Sequence, residues 1–208
     1  MWNVAAKALV ALLSAFLLAG CTSVDPVVKI GLVAPFEGRH REIGYDAIYS
    51  ARLAVQQINE AGGVAGHRVA LVALDDRGDP ELARQAAASL AVDPGVVAVL
   101  GHYLPEITAA AAPVYEQNSL ALLPLGESPF SPVDPAALPP EFLEAYAAVT
   151  PFDEVAGPFA GPTFDAMGLL REALAEAEES TGNISRASVQ EALGRLKYQG
   201  LTGEVYLP

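Results

Sequence analysis

The chain is short of cysteine, of positive charge and of any apolar run long enough to cross a bilayer. A single cysteine among 208 residues excludes a disulfide framework and a cysteine-based zinc site. Only 12 Lys and Arg stand against 25 Asp and Glu, a net charge of −13. A nucleic-acid binder needs basic stripes to neutralise phosphates, and this composition cannot supply them. Beyond the N-terminus no segment approaches the roughly 20 apolar residues of a membrane span. What is present is core-forming material: 52% of the residues are hydrophobic, which rules out a disordered acidic tail.

The lone cysteine, Cys21, has an informative position. Lys7 is the only charge before Asp25, and it precedes the apolar stretch Ala8 to Ala19. Such a stretch suits the h-region of an export signal better than a membrane helix. It ends in Leu18-Ala19-Gly20-Cys21, which resembles a bacterial lipobox. The resemblance implies cleavage before Cys21, lipid attachment to its thiol, and an exported protein tethered to the membrane only through that lipid. Residues 1–20 are read as the signal, 21–26 as a tether and 27–208 as the folded part. Cleavage takes Lys7 away and leaves an even more acidic domain.

From Val27 on, short β-runs alternate with helical stretches. The strand candidates are 27–34, 67–74, 96–100 and 120–125; the helices between them are expected at about 43–60, 80–92 and 106–117. Asp79 and Pro80 read as N-cap and first helical residue. Repeated βα units predict an α/β fold, a Rossmann-like doubly wound parallel sheet with helices on both faces. The segment 126–140 breaks the pattern with Pro129, Pro132, Pro135, Pro139 and Pro140. After it, helices are expected at 140–149, at 163–179 with Thr163 as cap, and from Ser185. Residues 151–161 read as a loop and 201–207 as a final strand.

Several stretches carry a family resemblance. They are Lys29 to Pro35, Ala51 to Val64, Gly66 to Val69, Asp75-Asp76, Asp79-Pro80, Ala98 to His102 and Ala112 to Tyr115, then Phe164 to Met167. In this order and spacing the chain resembles a type I periplasmic binding protein, in particular the leucine/isoleucine/valine-binding receptors of branched-chain amino-acid ABC transporters. Those receptors have two lobes and clamp ligand between them. Here the stretch expected to build most of the second lobe is absent between Pro129 and Pro140. The resemblance therefore implies a single lobe, bridged by the Pro-rich segment.

In open parallel sheets ligands sit beyond the carboxyl ends of the strands. Those ends supply the candidate binding residues Glu37, Arg39, Arg41, His102, Tyr103, Glu127 and Ser128. The resembled receptors hold an amino-acid carboxylate there with hydroxyls and backbone amides. This sequence departs from them, with Pro105 in place of a serine and Glu127 where a carboxylate would be repelled. His40, His67 and His102 lack metal-ligand spacing, so no metal or cofactor is expected. No nucleophile–base motif is found, so no enzyme activity is expected.

Two functions follow. One is a solute-binding, lipid-anchored component of an ABC importer, taking an amino-acid-like or small polar ligand and delivering it to a permease. The alternative is a one-lobe sensor or interaction module without transport ligand, or the product of a degraded gene. Apolar surface left by the missing lobe would favour a homodimer.

Overall fold

In the computed structural model, residues 25–151 and 154–207 are described. The signal segment and Cys21 lie outside the described residues, so the processing expectation is not addressed by the fold.

Four strands make one parallel sheet: β1 (Val27–Ala34), β2 (Arg68–Asp75), β3 (Val96–Leu100) and β4 (Ala121–Leu123), in the order β2-β1-β3-β4. The connecting helices are α1 (Arg41–Glu60), α2 (Pro80–Ala91) and α3 (Pro105–Gln117). Along β1, Val28, Ile30, Leu32 and Ala34 face one core and Val33 the other. The first core packs against α1 and the later helices, the second against α2 and α3. A strand buried on both faces must lack charge there, which explains the stretch Ile30 to Ala34 in β1, while Lys29 before it reaches Asp93 at the partly exposed end. Gly31 is part of this logic, because a Cβ there would sit 2.8 Å from Leu90 Cδ1. The doubly wound α/β expectation is met.

Local signals placed several boundaries. Asp79 caps α2, its side chain accepting from Glu81 N and Leu82 N with Pro80 at the first position. β4 is shorter than expected. Pro124 has no N–H to continue the ladder, and Leu125 N donates instead to His102 O at 3.2 Å.

After the Pro-rich segment, which holds one 3-10 turn (Pro135–Ala137), come α4 (Pro140–Val149), α5 (Ala160–Thr181) and α6 (Arg186–Leu193). α4 lays Phe142 and Tyr146 against Tyr49 and Leu53 of α1. α5 begins three residues before Thr163, which is fully buried within it and does not cap it. Its hydroxyl is instead paired with Tyr103 Oη at 2.9 Å. Ser185 caps α6 in a capping box with Ser188. The expected final strand is a separate antiparallel hairpin, β5 (Lys197–Gln199) with β6 (Glu204–Tyr206).

Long-range polar contacts fix this return onto the sheet. Arg186 donates to the carbonyls of Val96 (2.9 Å), Ala91 (3.0 Å), Asp93 (2.8 Å) and Asn118 (3.3 Å). Asp165, fully buried, accepts from Leu201 N, Thr202 N and Thr202 Oγ1 at 2.7, 2.8 and 2.6 Å. Among the described residues no helix is long and apolar enough to cross a membrane.

Candidate functional site

The strand order reverses between β1 and β3, and in a doubly wound sheet that switch point opens the crevice where ligands bind. Four loops converge at this carboxyl end: 35–40 after β1, 75–79 after β2, 101–104 after β3 and 124–130 after β4.

Asp75 ties the first two loops together. Its Oδ1 accepts from Phe36 N at 2.8 Å, Glu37 N at 3.4 Å and Arg77 N at 2.9 Å. Its Oδ2 accepts from Arg77 Nε at 3.3 Å, and the same guanidinium pairs with Glu37. Both Glu37 and Arg77 remain exposed, so the rim carries an ion pair open to solvent. Arg39 and Arg41 stand exposed nearby.

The neighbouring Asp76 reaches the other way, into the interior. Its Oδ1 accepts from Gly78 N at 2.9 Å and its Oδ2 meets His102 Nδ1 at 2.6 Å. With Nδ1 turned to that carboxylate, Nε2 on the other side of the ring lies 3.2 Å from Tyr115 Oη. Asp76, His102 and Tyr115 are each at most 1% exposed. Burial also pushes the Tyr115 and Tyr103 phenols well above their ordinary range, with Asp76 adding to the effect on both.

The third loop is pressed onto the sheet. A Cβ on Gly101 would lie 2.1 Å from Val33 O, so only glycine permits the approach. His102 O accepts from Leu125 N and Thr108 Oγ1, which couples the third loop to the fourth and to α3. Tyr103 packs edge-on against Phe159 at 5.7 Å. In the fourth loop Phe130 is buried, while Glu127 and Ser128 form an exposed tip.

The seven expected residues thus divide. Glu37, Arg39, Arg41, Glu127 and Ser128 are exposed at this end of the molecule. The side chains of His102 and Tyr103 point into the protein, where each has a polar partner, and both residues are buried, so neither presents itself to a solute. Asp75, Asp76 and Arg77 stand at the same strand ends in the sequence but are not among the seven, and Tyr115 is the one addition from elsewhere. An acidic pair closing a strand was the visible signal for the first two; Tyr115, on α3, gave none.

At this end of the sheet the arrangement offers one solvent-facing ion pair and scattered rim charges. Such a surface can hold a small zwitterion or polar solute by hydrogen bonds and charge.

A sequence profile described as periplasmic binding protein matches residues 27–140. Leu/Ile/Val-binding protein homolog 1 of Brucella abortus is 32% identical over 111 residues, which is 53% of this chain and 29% of that protein. The leucine-, isoleucine-, valine-, threonine-, and alanine-binding protein of Pseudomonas aeruginosa is 34% identical over 115 residues, 54% of this chain and 31% of its own length. These matches therefore span about a third of the relatives. Among solved structures, the branched-chain amino acid transporter substrate binding protein LivJ of Streptococcus pneumoniae, in complex with isoleucine, superposes with a TM-score of 0.72 at 13% identity. That alignment covers 88% of this chain and 92% of the other, a likeness of fold.

Proposed function

Because the chain belongs to the periplasmic binding protein family, we propose that it is an exported solute-binding component of an ABC importer, anchored by lipid on Cys21. Its ligand is an amino acid or an amino-acid-like small solute, met at the carboxyl end of the β1/β3 switch point and handed to a permease. The observation that carries this reading is the convergence of the four loops on that crevice, held by Asp75, Asp76 and His102. Supporting it, relatives that match about half of this chain are named for binding leucine, isoleucine and valine.

The protein works as one lobe. Supporting this, the segments before and after the Pro-rich 126–140 build one continuous core. With one wall, a ligand keeps much of its hydration, and the loss relative to a closed clamp is about 3–4 kcal/mol, a few hundred-fold in affinity. The reading includes no catalytic step; the buried Asp76–His102–Tyr115 chain serves to fix the loops. A second reading, a one-lobe sensor or interaction module, draws on the inward turn of His102 and Tyr103 and on Pro105 at the start of α3.

A thermal-shift screen of residues 22–208 against the amino acids separates them, since ligand at a hundred times its Kd adds about 2.7 kcal/mol. Stabilisation by leucine, isoleucine or valine at millimolar concentration supports solute binding. No shift with any amino acid at tens of millimolar leaves the interaction module as the function.

A further inference from the structure

We propose that the outer flank of α1 carries a binding site for a small aryl carboxylate, separate from the crevice, in the hollow that Tyr45, Tyr49 and Arg52 form with Phe36 and Ala73.

One wall of this hollow is set by helical spacing. Tyr45, Ile48, Tyr49 and Arg52 stand at i, i+3, i+4 and i+7 of α1, so they share a stripe along the helix. Phe36, from the loop after β1, and Ala73, on the outermost strand β2, close the other side. The enclosed volume is about 290 Å3. Ligand pockets begin at about 300 Å3, so this one suits a single ring with a short arm rather than a large solute.

The aromatic part of the wall is built before any ligand arrives. Tyr49 is only 9% exposed, and Tyr146 meets it edge-on with ring centroids 6.3 Å apart. Tyr45 lies tilted against Tyr49 at 6.4 Å and remains 42% exposed. A flat ring laid along Tyr45 and Phe36 would cover that surface, and aromatic pairs gain more than the area they bury.

The stripe ends in a cation without a counter-ion. Acidic residues outnumber basic ones in this chain, and exposed bases elsewhere are paired, Arg84 with Glu81, Arg195 with Glu191 and Lys197 with Glu204. Arg52, exposed, has no carboxylate partner among the described residues. Burial raises the Tyr49 phenol, Glu154 adds to the rise, and Arg52 opposes it. The guanidinium is therefore within electrostatic reach of a hydroxyl that stays protonated and can donate. Glu154 itself does not line the hollow.

A guanidinium fork takes a carboxylate through two parallel bonds. No second basic side chain lines the hollow to balance a dianion, which selects a monocarboxylate. The hollow lies on the flank of α1 and not between β1 and β3, so it does not depend on whether the crevice binds an amino acid.

Titration of residues 22–208, which contain every described element, with phenylacetate reads the site through the backbone amide resonances. The expected result is saturable shifts at Tyr45, Ile48, Tyr49, Arg52 and Ala73, with a dissociation constant of about 1 mM or below. Phenylacetamide keeps the ring and loses the charge, and should bind about tenfold more weakly or worse. Leucine should leave these five amides in place, whether or not it shifts the crevice loops. Arg52→Gln and Tyr45→Ala should each raise the phenylacetate constant about tenfold, circular dichroism identifying which variants fold. No saturable shift with about 20 mM phenylacetate overturns the proposal. So do equal affinities for acid and amide, shifts confined to the crevice loops, or an unchanged constant in either folded variant.

Discussion

Asp46, in the first third of α1, accepts the backbone N–H of Gly157 at 2.9 Å across 111 residues of chain. Its other oxygen accepts from Phe159 N at 3.1 Å. There is no room for a side chain at position 157, since a Cβ there would lie 2.4 Å from the carboxylate. An early helix thereby clasps the segment that returns after the Pro-rich bridge, and Asp165 on α5 clasps the final hairpin connection in the same manner.

These clasps give the fold a pH dependence with a definite sign. Burial raises the Asp46 and Asp165 carboxyls above their ordinary value of 3.8, and the backbone N–H bonds only partly offset it. A folded state that holds protons more tightly than the unfolded chain is stabilised below the unfolded pKa. That stabilisation is lost as pH rises through the raised folded value. Urea midpoints measured from neutral pH down to about 4 should therefore show a wild-type stability gain that Asp46→Asn and Asp165→Asn lack. At neutral pH, Asp46→Asn turns an amide N–H toward a backbone N–H and should cost about 1–3 kcal/mol. A wild type that loses stability relative to both variants on acidification would contradict this.

Arg186 holds α6 to the far end of the sheet through four carbonyl groups. Arg186→Ala should lower stability by about 2–3 kcal/mol, and Arg186→Lys should recover only part of it, because an ammonium cannot match the planar fork. Denaturant titration of the three proteins reads the difference.

The Asp76–His102–Tyr115 chain should respond unequally at its two ends. Tyr115→Phe removes one neutral partner of the ring and should cost about 1 kcal/mol. His102→Leu leaves a buried carboxylate oxygen without its partner and should cost about 3–5 kcal/mol. Equal costs in urea unfolding would mean that the buried carboxylate is not what the imidazole satisfies.

Most of the sheet was legible because its strands advertise burial on two faces and its helices carry caps such as Asp79 and Ser185. The limits of legibility were set by tertiary contacts. Thr163 has the chemistry of a cap, yet α5 begins earlier and sends its hydroxyl to Tyr103, sixty residues back in sequence. β4 was cut short by Pro124 and by the bond from Leu125 N to His102 O. At the crevice, loop position located the exposed residues Glu37, Arg39 and Glu127. It could not tell that His102 and Tyr103 turn inward, because their partners Asp76, Tyr115 and Thr163 come from three other segments.

The anchor is tested by Cys21→Ala, which removes the only thiol in the chain. Cell fractionation should find the variant unprocessed, or released from the membrane, since one acyl chain alone binds only marginally and stable anchoring takes several. A variant still cleaved and still membrane-bound would defeat lipid anchoring at this residue.

The most direct measurement is a titration of residues 22–208 with leucine, isoleucine and valine, followed through the backbone amide resonances. The account predicts saturable shifts at the carboxyl-end loops, among them Glu37, Gly38, Arg77 and Gly126, with dissociation constants of about 0.1–1 mM, as a single wall allows. Shifts confined to other surfaces, no shifts at tens of millimolar, or a sub-micromolar constant would each contradict a one-walled solute-binding lobe.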